Sequence, residues 1–216
     1  MKQARYVLFG VDSSFSVEVI ETLRRLGCSV AAGVLTGTPE WDLKGVEVLC
    51  EENDIGAGLL ALPVAVPWVT PSRHIDRVER AKRAGFSAFE TLVDPTAVLA
   101  SNVRLGQGVF INAGAIVGAD VAIGDHAVIN RAGSVGHHST VEEFVSLGPG
   151  AVVASKCRLQ RAAFIGAGAM VAPGVAIGAD STLAVGAVAI RDVESGVTVA
   201  GNPARPLPRG GASSRD

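Results

Sequence analysis

The stretch that decides the fold is residues 105–130, LGQGVFINAGAIVGADVAIGDHAVIN. An aliphatic residue stands at every sixth position here, and the same period runs on both sides of the stretch without a slip. A period of six fits neither an α-helix nor a plain β-strand. It is typical of a coiled parallel solenoid in which each hexad supplies one short strand and one corner. The 17 successive positions are Val93, Leu99, Leu105, Ile111, Val117, Ile123, Ile129, Val135, Val141, Leu147, Val153, Leu159, Ile165, Val171, Ile177, Leu183 and Ala189.

A second register of small or aliphatic residues follows four positions later, as at Ala97, Val103 and Val109. Residues two apart on an extended backbone point to the same side, so each hexad turns two side chains inward. The residue after the large aliphatic is often Gly or Asn, as at Gly106 and Asn112. These residue types accept positive φ most readily, so we expect them to form the corners.

Composition restricts the class of protein. The chain has 216 residues, of which 48% are hydrophobic, a mean hydropathy of +0.37 and a net charge of −2. No apolar run approaches the ~20 residues that span a bilayer, and the charge balance predicts no bulk attraction to nucleic acid or anionic lipid. Cys28, Cys50 and Cys157 are odd in number and lack CxxC spacing. A soluble, cytoplasmic protein is expected, with Cys157 packed in the inward register.

The first 90 residues follow a different pattern. Residues 6–10 and 29–35 have the composition of short strands, and residues 13–27 have the apolar spacing of an amphipathic helix ending at a glycine. The resulting β-α-β unit implies parallel strands.

Further elements and the domain limits follow from the same reasoning. Residues 46–50, 58–63 and 64–69 are expected to be short strands or their flanks, and residues 75–84 a basic helix before Gly85. Residues 197–207 form an extended, proline-containing stretch expected to cap the last coil, and residues 209–216 are expected to fray. The predicted domains are 1–91, an α/β acceptor-binding domain; 92–195, the coil; and 196–216, a C-terminal extension and tail.

The most conspicuous polar group of residues in the coil lies within residues 130–144, NRAGSVGHHSTVEEF. Because Val135 faces inward, His137 and His138 fall at a corner, where a side chain can reach a groove or a neighbouring subunit. Histidine can accept and return a proton near neutral pH, which general base catalysis requires. The alternative is a solvent-exposed pair with no chemical role.

The hexads, the preceding β-α-β unit and the segments GHHSTVEEF (136–144) and VAGNPAR (199–205) together resemble the NeuD/PglD group of acyltransferases. That resemblance implies a mainly β protein: a C-terminal left-handed parallel β-helix of hexapeptide repeats preceded by a small α/β, Rossmann-like β-α-β domain. It implies acyl transfer from acetyl-CoA to the nitrogen or oxygen of an amino sugar, a nucleotide-linked sugar or another small amine or alcohol. It also implies a homotrimer with active sites between subunits.

The resemblance assigns roles by position. His137, seven residues before Phe144, matches the general base, and His138 stands beside it. On the acceptor side, the implied residues are Asn130, Gly10, Asp12, Ser13 and Ser14. For acetyl-CoA, they are Ser146, Ser155, Gly166, Ala167, Gly201, Asn202, Pro203 and Arg205.

Three departures from the family pattern matter. His138 occupies the place of an acidic residue that would orient the base, which leaves Glu142 or Glu143 as candidates for that role. Ser146 replaces a histidine. Asp12 lies where a glycine-rich turn would receive phosphates, so it is expected to repel them. Ser13 and Ser14 can bind something polar or cap the following helix.

Two other functions remain open. One is a catalytically impaired trimer that binds CoA or another ligand on the same scaffold. The other is a zinc enzyme, which needs three converging histidines. His126, His137 and His138 are 11 and 1 residues apart, a spacing that does not favour convergence, so no metal is predicted. His126 is expected to be exposed to solvent.

Overall fold

The computed structural model of the chain describes residues 4–39, 41–42, 44, 46 and 48–208. The N-terminal part holds a four-stranded parallel sheet in the order β3-β2-β1-β4, to which the helices are connected in sequence. Its elements are β1 (Arg5–Phe9), α1 (Ser16–Arg25), β2 (Ser29–Leu35), β3 (Leu49–Glu51), a 3-10 turn (Glu52–Asp54), α2 (Ala57–Leu60), β4 (Val64–Ala65) and α3 (Pro71–Ala84).

The β-α-β unit is confirmed, with β2 at the predicted residues. The first helix is shorter than predicted, because residues 13–15 form a turn in which the Phe15 N–H donates to Ser13 Oγ over 3.3 Å. Phe15 is the N-cap and no side chain caps the helix, so capping by Ser13 or Ser14 was wrong. A strand at 58–63 was also wrong, since Ala57–Leu60 is helical. Residues 209–216, expected to fray, lie outside the described residues.

The rest of the chain winds as a three-sided column of two-residue strands. Each strand pairs in parallel with the strand 18 residues further on, as Ser134 does with Val152, so one coil takes three hexads. We number the faces in chain order. Face 1 holds β5 (Leu92–Val93), β8 (Phe110–Ile111), β11 (Val128–Ile129), β14 (Ser146–Leu147), β17 (Phe164–Ile165), β20 (Thr182–Leu183), β22 (Thr198–Ala200) and β23 (Arg205–Pro206).

Faces 2 and 3 complete the column. Face 2 holds β6 (Val98–Leu99), β9 (Ile116–Val117), β12 (Ser134–Val135), β15 (Val152–Val153), β18 (Met170–Val171) and β21 (Val188–Ala189). Face 3 holds β7 (Arg104–Leu105), β10 (Ala122–Ile123), β13 (Thr140–Val141), β16 (Arg158–Leu159) and β19 (Ala176–Ile177). The antiparallel strands β22 and β23, joined through a cis Asn202–Pro203 bond, extend face 1 at its C-terminal end, as expected of residues 197–207.

The hexad prediction is confirmed strand by strand. Each of the 17 aliphatic positions is the second residue of one strand from β5 to β21, and every one from Ile111 onward is buried. The first three are half-buried because no coil stacks before them. The small register is buried as well, and Cys157 is 2% exposed within it. Each fully buried aliphatic contributes roughly 1.5–3 kcal/mol, so the column is stabilised by its own repetition.

The corner glycines have a different cause from the predicted one. Positive φ occurs three residues after each large aliphatic, and from residue 108 to residue 186 it recurs every six residues, at non-glycine positions such as Asp120 and His138 as well. The glycines directly after the aliphatics do not have it. A Cβ on Gly136 would lie 2.6 Å from the carbonyl carbon of Ala154, in the next coil. These positions are glycine because consecutive coils approach too closely for a side chain.

The N-terminal domain covers face 1. Leu92, Phe110, Val128 and Ser146 point outward from that face and are each at most 7% exposed. Face 2 is different, because Val98, Ile116 and Met170 are 62%, 54% and 47% exposed. Face 1 is therefore occupied within the chain, whereas face 2 presents an apolar surface. No helix among the described residues has the length and apolarity needed to cross a membrane.

Candidate active site

The histidine pair lies at the corner between faces 2 and 3, directly after β12. Both side chains are exposed, and Nδ1 of His137 is 2.9 Å from Nδ1 of His138. The sequence turns them outward because Val135 is buried and His138 takes the left-handed conformation of the corner, with φ of 59°. The prediction that the pair occupies a corner is confirmed.

A carboxylate stands beside the pair. Asp120 occupies the same corner one coil earlier, 18 residues before His138, and its Oδ2 is 3.5 Å from Nε2 of His138. Asn102, a further coil earlier, holds Asp120 in place: Asn102 Nδ2 donates to Asp120 Oδ1 over 2.7 Å, and the Asp120 N–H donates to Asn102 Oδ1 over 3.0 Å. Our sequence analysis missed Asp120 and Asn102, although a spacing of 18 residues, three hexads, was available to find them.

Glu142 and Glu143 do not orient His137. They lie at the next corner, where Arg158 Nε donates to Glu142 Oε1 over 2.9 Å and the Arg161 N–H donates to Glu142 Oε2 over 3.0 Å. Glu143 Oε1 lies 3.4 Å from Arg161 Nε. Their carboxylates are engaged on the far side of face 3 from the histidine pair, so that expectation was wrong.

The expectation that His126 is exposed was wrong as well. Its side chain is 2% exposed and lies at the corner between faces 3 and 1, under the N-terminal domain. The ring stacks on Phe144 with centroids 5.0 Å apart and meets the buried ring of His74, from α3, edge to face at 6.0 Å. Its Nε2 has no hydrogen-bond partner. Burial lowers the pKa of His126 to about 4 and that of His74 to about 3, with smaller effects from Lys82 and His126 respectively.

The residues expected to hold acetyl-CoA divide between the two corners that flank face 2. Ser155 lies one coil above His137, at the corner between faces 2 and 3. Gly166 and Ala167 follow β17 at the corner between faces 1 and 2. The turn between β22 and β23 lies at that same corner, where the Val188 N–H donates to the carbonyl of Gly201 and the Ala204 N–H donates to that of Val188. That turn contains Gly201, Asn202 and Pro203, and Arg205 opens β23.

Ser146 is in neither group. It points outward from face 1, is 2% exposed under the N-terminal domain, and its Oγ has no hydrogen-bond partner. Within one chain it is therefore separated from His137 by the width of the column.

Asn130 lies at the corner between faces 1 and 2, next to the N-terminal domain. Its Oδ1 accepts from Asn112 Nδ2 over 3.0 Å, and Asn112 Nδ2 also donates to Glu18 of α1 over 3.2 Å. Arg131 pairs with Glu18 as well. The acceptor-side candidate Asn130 is thus tied to the start of α1, and the loop of residues 10–15 precedes that helix directly.

The loop after β1 holds the other acceptor candidates, Gly10, Asp12, Ser13 and Ser14. Asp12 is 4% exposed, and its Oδ1 accepts from both the N–H and Oγ1 of Thr36 over 2.8 Å. Arg77 Nε donates to the same Thr36 Oγ1, and its guanidinium lies 4.7 Å over the ring of Trp68, whose indole N–H donates to the Gly10 carbonyl. The carboxylate is held inside the loop beside a cation, so it presents less negative charge to a ligand than the sequence suggested.

Among the described residues, no three His, Cys, Asp or Glu side chains gather as a metal site. His137 and His138 contact each other, whereas His126 lies at a different corner.

The fold and the corner histidine define the class as hexapeptide-repeat acyltransferases, and comparison with known structures agrees. The chain is 31% identical to the perosamine N-acetyltransferase of Caulobacter crescentus, solved as a His-to-Asn variant with CoA and GDP-perosamine. The match covers 96% of this chain and 98% of that one, with a TM-score of 0.84.

Two further structures match. The acetyltransferase domain of PglB from Neisseria gonorrhoeae, solved with acetyl coenzyme A, is 25% identical over 95% of this chain and 100% of its own, with a TM-score of 0.84. WeeI from Acinetobacter baumannii, at 23% identity, 95% and 100% coverage and a TM-score of 0.82, shares the fold. Scans against protein-family models and against curated proteins gave no match.

The chain belongs to the hexapeptide-repeat sugar acetyltransferases, the family that its NeuD/PglD-like motifs indicated. The neighbours are left-handed β-helix acetyltransferases, in keeping with the three-sided parallel column of this chain.

Proposed function

We propose that this protein transfers an acetyl group from acetyl-CoA to the amino group of a nucleotide-linked amino sugar, with His137 as general base. The observation that carries the proposal is the full-length match to an N-acetyltransferase whose structure contains CoA and a GDP-linked sugar. The coil is a left-handed β-helix in this proposal, and the N-terminal sheet is a Rossmann-like domain that binds the acceptor.

The proposed reaction needs one proton acceptor. The acceptor nitrogen attacks the thioester carbonyl, and its proton passes to Nε2 of His137. The tetrahedral intermediate collapses, the C–S bond breaks, and the proton returns to the departing CoA thiolate. The amide product and free CoA balance the step. An exposed imidazole with a hydrogen-bond partner at Nδ1 is suited to this role, because Nε2 is then left to accept the proton.

The division of candidate residues between two corners supports an active site shared by two subunits. His137 and Ser155 lie at one edge of face 2, whereas Asn130, Gly166 and Ala167 lie at the other edge. The N-terminal domain covers face 1, so the corner that carries His137 is opposite its own acceptor domain. One subunit alone does not bring base, donor site and acceptor domain together.

A homotrimer with face 2 toward the threefold axis would assemble the site. The His137 corner of one subunit would then meet the Asn130 corner of the next, together with that neighbour's N-terminal domain. Burial of the apolar face 2 residues Val98, Ile116 and Met170 would stabilise the contact, since exposed apolar patches of this kind mark interfaces. Face 3 is less suited, because Arg104, Thr140 and Arg158 point outward from it and are exposed.

The loop after β1 is proposed to receive the nucleotide portion of the acceptor. It lies at the carboxyl end of a parallel sheet, where ligands of such sheets commonly bind. Trp68 supplies an aromatic surface and Arg77 a cation beside Gly10. Because Asp12 is engaged by Thr36, it does not prevent a diphosphate from binding nearby. The cytoplasmic location inferred from the cysteines remains a prediction.

The test is release of free CoA from acetyl-CoA in the presence of nucleotide-linked amino sugars, compared with the free amino sugars and with hydroxyl analogues. We expect turnover with a nucleotide-linked amine, and a fall of about 10²–10⁴-fold in His137→Ala. Full activity of that variant would remove His137 from the mechanism. CoA binding without turnover on any acceptor would favour the alternative of an impaired, ligand-binding trimer.

A further inference from the structure

We propose that Asp120 is a positioning residue for the base, acting through His138, so that the histidine pair and the carboxylate form one relay along the corner. The inference rests on the proposed function of His137 and adds two residues to it, Asp120 and its support Asn102. No adjacent acidic residue is available to His137, and the structure supplies one from the preceding coil instead.

The geometry fixes the order of the relay. Asp120 Oδ2 lies 3.5 Å from His138 Nε2, and His138 Nδ1 lies 2.9 Å from His137 Nδ1. The other oxygen of Asp120 is held by Asn102 Nδ2 at 2.7 Å, and the Asp120 N–H is held by Asn102 Oδ1 at 3.0 Å. Each link joins different atoms, so none competes with another.

The chemistry of the atoms determines where the protons are. An ionised carboxylate only accepts hydrogen bonds, so the ring nitrogen of His138 that faces Asp120 carries a hydrogen. In a neutral His138, Nδ1 is then bare and accepts the Nδ1–H of His137. His137 consequently has its lone pair at Nε2, which faces away from the relay. When Nε2 takes a proton, the new positive charge lies in line with the Asp120 carboxylate.

The repeat explains why the three groups meet. Asp120 and His138 occupy equivalent left-handed corner positions, with φ of 59° each, 18 residues apart. Their side chains therefore leave the column in the same direction, one coil above the other. Lys156 occupies the next such position, and its N–H donates to the carbonyl of His137. Asp120 and Lys156 are the charged residues directly before and after His138 along this corner.

The proposal can be tested without any substrate by long-range ¹H–¹⁵N correlation spectra of the full-length protein. The chain has only four histidines, so single substitutions assign every ring. In the neutral form we expect His137 to carry its hydrogen on Nδ1 and His138 on Nε2. In Asp120→Asn both rings are expected to lose that fixed preference. Asp180→Asn is the matched control, because Asp180 is exposed at an equivalent left-handed position of another corner.

Kinetics supply a second readout. Asp120→Asn is expected to lower kcat/KM about tenfold with little change in the KM for acetyl-CoA. The acidic limb of the pH profile is expected to move to lower pH, because the protonated base loses its nearby negative charge. Asp120→Glu should recover most of the loss. A purely structural role for Asp120 would lower the rate without moving the pH profile.

A double-mutant cycle isolates the path through His138. His138→Asp places a carboxylate directly beside His137, at a left-handed position that Asp accepts. In that background Asp120→Asn should cost nothing or raise activity, because it removes a second negative charge. Equal losses in both backgrounds would show that Asp120 does not act through His138.

Two results would overturn the proposal: a wild-type His137 whose hydrogen is on Nε2, or tautomers and pH profile that do not respond to Asp120→Asn. The predicted tautomers in a protein that releases no CoA with any acceptor would support the relay while contradicting the proposed function. The two claims therefore fail separately.

Discussion

The chain contains two pairs of histidines that contact each other, and the contrast between them is instructive. His126 and His138 occupy equivalent left-handed corner positions with nearly the same φ, 57° and 59°. His126 is buried beside His74 among aromatic rings, and burial lowers the pKa of both. His138 is exposed beside His137, with a carboxylate at its other nitrogen. One pair packs two domains together, and the other is available for chemistry.

The difference comes from the position of each corner relative to the N-terminal domain. The corner between faces 3 and 1 lies under α3, so an imidazole there is desolvated and stays neutral. The corner between faces 2 and 3 is opposite the covered face. The same residue type at the same point of the repeat therefore takes on opposite roles.

The largest expected effect separates the pairs by activity. His137→Ala should reduce turnover about 10²–10⁴-fold, because the acceptor amine loses its proton acceptor. His126→Asn, which suits a left-handed position, should retain turnover per folded molecule. The check is CoA release normalised to protein that is folded by circular dichroism. Comparable losses in both variants would contradict the division of roles.

Acid should destabilise the protein through the buried pair. Below the unfolded pKa of about 6.5, the unfolded chain binds protons at both rings. The folded pKa values of His74 and His126 are lowered to about 3 and about 4, so the native state does not bind them there. Stability is then fully present above pH 6.5 and falls as the pH drops, by about 1.4 kcal/mol per pH unit for each ring.

Urea unfolding between pH 5 and 6.5 measures this slope above the range where carboxylates titrate. His74→Phe should remove about half of it, since one of the two rings can no longer bind a proton in the unfolded state. A slope that does not change in His74→Phe would show that the buried pair is not the source.

Backbone spacing at the active corner gives a smaller effect. A Cβ on Gly118 would lie 2.8 Å from the His137 nitrogen, so Gly118→Ala should push the coils apart at a cost of about 1–3 kcal/mol. Gly114→Ala is the matched control: Gly114 has φ of 67°, and its Cβ would meet nothing closer than 4.0 Å. Thermal unfolding and turnover are measured together. Only Gly118→Ala should lower kcat/KM, and equal activity of the two variants would contradict the close approach.

The smallest effect is expected at the neighbouring corner. Glu142→Gln removes a partially exposed pair with Arg158, worth about 0–1 kcal/mol. Turnover and its pH profile should match those of the wild type, because the carboxylate does not reach His137. A shifted pH profile in Glu142→Gln would reinstate the carboxylate as a partner of the base.

The sequence predicted the column in detail because every coil repeats the same physical requirement. An aliphatic at each sixth position was sufficient to locate all 17 strands from β5 to β21. The reason for the corner glycines was not predictable in the same way. A glycine accepts both positive φ and close backbone contact, and only the stacking of Gly136 on Ala154 distinguishes the two.

The site was predicted less completely. The corner position of His137 and His138 followed from the inward register of Val135. The burial of His126 did not, because it depends on where α3 packs, and no periodicity within the coil encodes that contact. Asp120 was missed since the search considered neighbours in sequence, whereas neighbours across coils are 18 residues apart.

The account depends most on a site formed by His137 of one subunit and the Asn130–Ala167 corner of the next. Mixing two inactive variants, His137→Ala and Ala167→Glu, in equal amounts under conditions that exchange subunits tests this directly. In a cyclic trimer about one interface in four then pairs two intact corners, so about a quarter of wild-type CoA release should return. If activity stays at the level of the separate variants although mixed trimers form, the two corners do not meet between subunits and the account is contradicted.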